Sequence, residues 1–349
     1  MKKQLMSFVK KIFVGIGFAV IIFLLINYDL VMYGIRQGKG QLEIIRNARP
    51  NNEVLDDPNF PDSLKANLKL VGDIKKFAFD SLGINFSKNY SKVYDQKGKE
   101  LMFVVTACKP YKLEPKEWKF PLIGSFSYKG FFDRERAQAL ESKLIEQGYD
   151  TNIRTAGGWS TLGWFEDPIL SNMLNDSEAD FAELIIHELT HGTLFVKDSI
   201  RFNENLATFI GIKGAEKYLR WKYGDENEKL TEYQSQWNNR NLLSKHIVNG
   251  ARYLNETYLD MSEDLTIGEK EKIKRASIDM ILSTMDTLNL SNKPRYLDYY
   301  KRLNPNNTFF MSYLRYRGDL DLLENELTSK YNGDIKKMLV DYKLKFPSL

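Results

Sequence analysis

His187-Glu188-Leu189-Thr190-His191 sets two imidazoles four residues apart, with a carboxylate beside the first. On a helix, residues four apart share a face about one turn from each other. Both imidazoles can then reach one metal ion. Zinc takes nitrogen and oxygen ligands in a tetrahedral shell, and a catalytic zinc leaves one position to water. Glu188 is rotated off the ligand face, where a carboxylate can take a proton from water at the metal. The chain has only 3 histidines, and two of them fall in this pattern. A chance HExxH in a chain this long is on the order of 1 in 100, so a solvated helix with two surface histidines is the weaker reading.

The element that must position them reads as a helix. Ser177 followed by Asp180 resembles a capping box, with Asp in place of the usual Glu. Phe181, Leu184, Ile185, Leu189 and Leu194 recur at helical spacing. Histidines in so apolar a helix are costly to bury unless something pairs with them, and a metal would do that. A third ligand must come from elsewhere. Glu204 follows Asn203, an N-cap residue type, and opens an apolar helix through Leu206, Phe209 and Ile210. The link from Leu194 to Phe202 is short, and a short link folds the second helix back onto the first. That aims Glu204 at the histidine face. Two alternatives stand beside it: Glu204 only favours the helix dipole in its first turn, or His246, the remaining histidine, is the third ligand. Thr208, one turn after Glu204, could hydrogen-bond the ligands.

HELTH followed by NENLATFIG resembles the zinc metallopeptidases in which two motif histidines and a downstream glutamate hold the metal, the gluzincin group. More narrowly, the chain is similar to a bacterial "putative aminopeptidase" family along nearly its whole length. The matching stretches are Gly38–Ile45, Leu113–Asp133, Gly148–Thr151, Trp159–Leu174, the HELTH helix, Phe202–Gly211 and the pair Asn306-Asn307. The resemblance implies a peptidase with one Zn2+ per chain on His187, His191 and Glu204, Glu188 as general base, and a peptide or protein substrate. It also places a tyrosine about where Tyr316 stands, which makes Tyr316 the chosen donor to the oxyanion among His246, Tyr313, Arg315 and Tyr316. There are departures. The region after the N-terminal apolar stretch lacks the lipoprotein cysteine that family members often carry. Trp159 stands where a tyrosine commonly precedes STLGW.

The N-terminus suggests how the chain is held. Ile12–Ile26 is an unbroken apolar run, preceded by Lys2, Lys3, Lys10 and Lys11. With Tyr28 and Leu30–Tyr33 it approaches the ~20 residues of a membrane span. No small-x-small cleavage site follows Ile26, so the segment reads as an uncleaved signal anchor rather than a removed signal peptide. The lysines would stay cytoplasmic and the rest would face the periplasm, from an inner-membrane single pass. The expected division is 1–33 as basic stub and anchor and 34–349 as the metallopeptidase domain, itself parted into 34–175 and 176–349.

Those four lysines account for the whole formal excess of +4, leaving 46 basic against 46 acidic groups. A basic face for nucleic acid is therefore not supported. Hydrophobic content of 43% and aromatic content of 13% suit a sizeable core and argue against disorder. Cys108 is the only cysteine, so neither an internal disulfide nor a thiolate zinc site is available. It reads as a small core residue. A Cys108–His246 nucleophile is the remote alternative.

The fold class expected is α+β and mostly helical: a small β-sheet preceding the HExxH helix, a helical C-terminal half, and the N-terminal transmembrane anchor. Asp62 to Leu82 has helical spacing and closes at Gly83, while Asn51–Pro61 reads as a loop. Strands are expected in Leu101–Ala107, Phe120–Tyr128, Tyr149–Thr155 and Trp159–Phe165, with a helix from Arg134 to Gln147 capped by Asp133. Trp159–Phe165 could pair with a substrate backbone as an edge strand, or be an ordinary interior strand. Glu166 and Asp167 would suit a substrate α-amino group but read first as turn and cap residues. Two other functions remain open on sequence: a zinc endopeptidase acting on proteins near a membrane, and a non-catalytic tethered protein that uses a metal structurally. Oligomeric state is not encoded in any of these patterns.

Overall fold

In the computed structural model, which describes residues 2–120, 124–155 and 166–347, the chain divides into two compact units, Met1–Asn47 and Ala48–Leu349. The first unit is two helices, Lys2–Ile26 and Tyr28–Asn47, parted at Asn27. The unbroken apolar run inside the first is Ile12–Ile26. At 1.5 Å per residue it extends about 22 Å, against the ~30 Å of a hydrocarbon core. Lys10 and Lys11 precede it, and Asp29, Arg36 and Lys39 follow in the second helix. Among the described residues, no helix is long and apolar enough to cross a membrane. The transmembrane anchor expected here is therefore not supported, nor is the membrane attachment drawn from it.

The second unit is mostly helical with small sheets. Where one sheet was expected, the described residues form three. The central one is antiparallel throughout: Phe103–Cys108 lies between Lys129–Phe131 and Asp150–Thr155, with Val105 opposite Ile153 and Cys108 opposite Asp150. All six residues of Phe103–Cys108 are buried, as a middle strand covered on both faces requires. A second sheet joins Arg49–Pro50, Lys92–Tyr94 and Ile169–Leu170, and Trp118–Phe120 pairs with Gly124–Phe126 in the third. The expected strand Trp159–Phe165 lies outside the described residues.

Helices supply the core. Asp62–Ser81 buries Leu68, Val71, Ile74 and Phe77 on one face, and Gly83 follows at φ 75°, where a residue without Cβ is favoured. Asn51–Asp56, expected as loop, is a short helix. Asp133 accepts a hydrogen bond from the Arg136 amide and starts Arg134–Glu146. Beyond the HELTH segment the chain runs through Ile200–Tyr223, Glu228–Leu259, Ile267–Ser283, Lys293–Leu303, Asn307–Arg317, Leu320–Tyr331 and Ile335–Lys345. Leu243, Ile247, Leu254, Ile278, Ile281, Met285 and Phe310 form one continuous apolar cluster among them.

One buried ion pair ties this helical part to the central sheet. Lys274 Nζ lies 2.7 Å from Asp150 Oδ1, with the two side chains 5% and 14% exposed. The other carboxylate oxygen, Oδ2, accepts the Asn307 amide at 2.9 Å. Three elements thus meet at one carboxylate. Removing one member of a buried pair leaves an uncompensated charge and costs about 3–5 kcal/mol. Asp150→Ala is expected to lose that much in urea unfolding, and the double variant Asp150→Ala/Lys274→Met to lose clearly less.

Candidate metal centre

The HELTH helix spans Glu178–His191. Ser177 caps it: its Oγ accepts from the Asp180 amide at 3.2 Å. Glu178 and Asp180 in the first turn complement the helix dipole. Phe181, Ile185, Ile186 and Leu189 are buried and fix the rotation of the helix. The four-residue spacing then sets the His187 and His191 rings edge to face, with their Nε2 atoms 3.1 Å apart.

The following helix, Ile200–Tyr223, begins a turn earlier than expected. Ser199 stands at its N-cap, and Asn203 is inside it. Asn203 has a different task. Its Oδ1 accepts the Val196 amide at 2.9 Å and its Nδ2 donates to the Val196 carbonyl at 2.8 Å. This two-bond clamp closes the link between the helices. Glu204 consequently lies in the second turn, beyond the reach of the dipole reading. The helices approach closely where Gly211 and Gly214 face the motif helix. A Cβ on Gly211 would stand 2.8 Å from the Glu183 carbonyl oxygen and 3.2 Å from His187 Cβ. On Gly214 it would stand 2.9 Å from both Ile186 Cγ2 and Leu82 Cδ1.

Glu204 Oε2 lies 3.5 Å from each histidine Nε2, and the side chains are 8%, 16% and 7% exposed for Glu204, His187 and His191. Sides of 3.1, 3.5 and 3.5 Å enclose a point about 2 Å from all three atoms, the bond length zinc makes to histidine nitrogen and carboxylate oxygen. The donor set is two imidazoles and one carboxylate, so it suits a divalent cation of borderline softness. Among the described residues this is the group of three that could hold a metal. His191 Nδ1 is buried with no hydrogen-bond partner among the described residues. Apart from its edge contact with Phe195, centroids 5.9 Å apart, the ring is oriented from its Nε2 side.

Charge follows the same geometry. Burial favours a neutral Glu204, but the two histidines outweigh it and hold the carboxyl far below its usual range. Burial likewise opposes a charged His191, yet Glu204, and more weakly Glu188, carry its pKa above the ordinary imidazole value. Glu188 sits at the rim of the same turn, half-buried. No ion pair or hydrogen bond engages its carboxylate among the described residues, which leaves both oxygens available.

A third helix reaches the site. In Asn307–Arg317, the carbonyls of Leu314 and Arg315 accept Asn205 Nδ2 at 3.2 and 2.7 Å, and Asn205 Oδ1 accepts the Asp319 amide at 2.8 Å. The residue next to Glu204 thus fixes where Arg315 and Tyr316 stand. Burial, and then the charge of Glu204, push the Tyr316 hydroxyl up to about 12. Arg154, on the strand Asp150–Thr155, donates from Nη2 to Tyr316 Oη at 3.0 Å.

The remaining candidates lie elsewhere. His246 Nε2 contacts the Ile281 carbonyl at 2.7 Å, and Tyr313 pairs with the Tyr300 hydroxyl. Cys108 donates to the Lys112 carbonyl, and burial pushes its thiol up to about 12, so it is no nucleophile. Thr208 is buried but hydrogen-bonds none of the three ligands among the described residues. Glu166 pairs with Lys88 at 3.8 Å, and the Asp167 carboxylate accepts from Asn89 Nδ2 at 3.3 Å. Arg154, Asn205 and Gly211 were not singled out in the sequence. Only Asn205 and Gly211 carried a signal, as members of the FNENLATFIG stretch.

The sequence model of the family described as "Putative aminopeptidase" matches residues 32–343. The chain belongs to that family. The match takes in the motif helix, Glu204 and the helix of Tyr316 together. No curated protein and no solved structure gives a significant match.

Two consequences are measurable. Gly211→Ala must separate the two helices at His187 and is expected to weaken divalent-metal binding at least tenfold in a chelator-competition titration. Gly72→Ala, with nothing within 4 Å of its added Cβ, is expected to leave that affinity unchanged. Metal and proton also compete for His191. Because its pKa lies above the ordinary value, the proton is bound below that point. Zinc affinity should therefore fall as the same titration is repeated from about pH 8 down to about pH 6; a flat profile would contradict the assignment.

Proposed function

We propose that this member of the aminopeptidase family is a zinc-dependent peptidase that hydrolyses peptide bonds with Glu188 as general base. The observation that carries the reading is the buried triangle of His187 Nε2, His191 Nε2 and Glu204 Oε2. Those three atoms would hold one zinc, which when bound supplies a Lewis acid for the scissile carbonyl and eases deprotonation of water. Family membership supports the peptidase class.

The protein groups divide the remaining work. Glu188, one position after the first ligand, takes the proton of the attacking water and passes it to the leaving amine. Its half-buried setting without an ion-pair partner leaves it free to do both. Tyr316 keeps its own proton at neutral pH, since its pKa is pushed up to about 12. Its oxygen accepts from Arg154, so its O–H is free to point at the carbonyl oxygen as charge develops there. Glu204, by contrast, is spent on the two imidazoles and takes no proton at working pH.

Metal analysis of the purified full chain, with a peptide-library screen, tests this. Wild type is expected to hold one zinc per chain and Glu204→Ala to lose most of it. Glu188→Gln is expected to keep the zinc and lose activity by a factor of about 10²–10⁴, the usual share of general-base catalysis. Well-folded wild type without metal, or a fully active Glu188→Gln enzyme that still binds zinc, would end the proposal.

A further inference from the structure

Two arginines at the site have no carboxylate partner among the described residues. Arg315 is 5% exposed. The hydrogen bond its guanidinium makes is a 3.4 Å contact to the Ser127 carbonyl, and its charge centre lies 5.9 Å from the Tyr128 ring. Arg154 engages Tyr316 Oη and, among the described residues, no carboxylate. Two other buried or part-buried cations show the usual arrangement: Lys274 pairs with Asp150, and Arg240 with Asp180 and Glu183. The stretches 121–123 and 156–165 contain neither Asp nor Glu, so they offer these arginines no counter-charge.

The two guanidiniums lie within each other's field, and Glu204 is the acid whose charge reaches Arg315. Glu204 is committed to the histidines. With a divalent cation there, the charges of Glu188 and Glu204 are offset, and both arginines remain uncompensated. Burying a guanidinium without a counter-ion is costly. A planar donor fork next to reacting groups matches one ligand chemistry best, a carboxylate gripped by two parallel N–H bonds.

We propose that Arg154 and Arg315 form a carboxylate subsite beside the catalytic groups, so that the preferred substrate is a short peptide with a free carboxylate close to the scissile bond. The scissile bond in this statement rests on the peptidase reading, and the uncompensated charge rests on the divalent cation of that reading; the placement of the two arginines rests on neither. The carboxylate is either the α-carboxylate of a short peptide or the side chain of an adjacent Asp or Glu. The strand of Arg154 and the helix of Arg315 are joined independently of the substrate. Asn306 Nδ2 donates to the Thr151 carbonyl at 3.0 Å, and the Asn307 amide donates to Asp150 Oδ2. The two arginines are therefore held in place before an anion arrives, which lowers the ordering cost of binding it.

The test uses the full-length Glu188→Gln protein loaded with zinc, and calorimetric binding of four peptides: Ala-Ala-Ala, its C-terminal amide, Ala-Asp-Ala amide and Ala-Asn-Ala amide. Wild-type turnover of the same four is followed alongside. Loss of the carboxylate is expected to weaken binding by about tenfold to a hundredfold. Arg154→Gln is expected to abolish that difference, and so is Arg315→Gln. If the buried Arg315 variant does not fold, the more accessible Arg154 variant decides alone. A difference confined to the first pair assigns the α-carboxylate, one confined to the second pair the acidic side chain, and both support the subsite. Equal binding within both pairs, or a difference that persists in Arg154→Gln, overturns it, while cleavage in wild type would leave the peptidase reading standing. The converse outcome, no cleavage of any peptide with the carboxylate difference intact, keeps the subsite and ends the peptidase reading.

Discussion

The structure depends on one buried carboxylate. Glu204 lies in a helix whose residues from Asn203 to Ile212 are all buried, and a charge there is tolerable only if it is paired. The two imidazoles of the neighbouring helix are the available partners, and they can serve only if the two helices come unusually close. That demand explains Gly211, whose missing side chain lets the Glu183 carbonyl and His187 Cβ pack against the helix backbone. It also explains Asn203, whose amide closes the link by bonding both backbone groups of Val196. Neither residue supplies one of the three atoms of the triangle. Both set the helix separation on which that triangle depends.

Around this pair a set of asparagines does similar work on the third helix. Asn205 holds its C-terminal carbonyls against the helix of Glu204. Asn306 caps its start through the Thr308 amide and reaches the Thr151 carbonyl, and Asn307 bonds the Lys109 and Pro110 carbonyls and the Tyr258 hydroxyl. Side-chain amides carry both donor and acceptor and no net charge, so they can cross-link backbones inside a core without the desolvation cost of an ion. The outcome is a rigid placement of Arg315 and Tyr316 against Arg154. Sites supported by packed elements in this way need little reordering when a ligand arrives.

What the sequence revealed follows from which physical signals are local. The HELTH pair was legible because four-residue spacing on a helix is a short-range rule, and Glu204 because a short link leaves a second helix few places to go. The start of that second helix was misjudged by one turn: Asn203 has an N-cap side chain, and nothing local tells a cap from a loop clamp. Arg154 was invisible, since an arginine on a short strand looks like any solvated one until tertiary packing sets a tyrosine beside it. The N-terminal run was read as a span by adding residues beyond Asn27, where the helix in fact parts. The short helix at Asn51 was hidden by its flanking prolines, which read as loop although Pro50 only precedes its first turn.

Two acids near the same histidines illustrate how environment assigns roles. Glu204 is enclosed, flanked by both Nε2 atoms, and held ionised far below the usual carboxylate range. Glu188 is next to His187 in sequence but rotated a quarter-turn away, half-buried and, among the described residues, without a hydrogen-bond or ion-pair partner. A carboxylate locked to two imidazoles is poor at moving protons, because each protonation would break a buried interaction. A carboxylate with neither oxygen committed can accept and release one at little cost. Under the proposed function, distinct environments for two like groups would let a single helical turn and its neighbour divide holding from proton transfer. The same contrast extends to the arginines: Arg201 and Arg240 have acids at hand, whereas Arg154 and Arg315 pair with no carboxylate among the described residues.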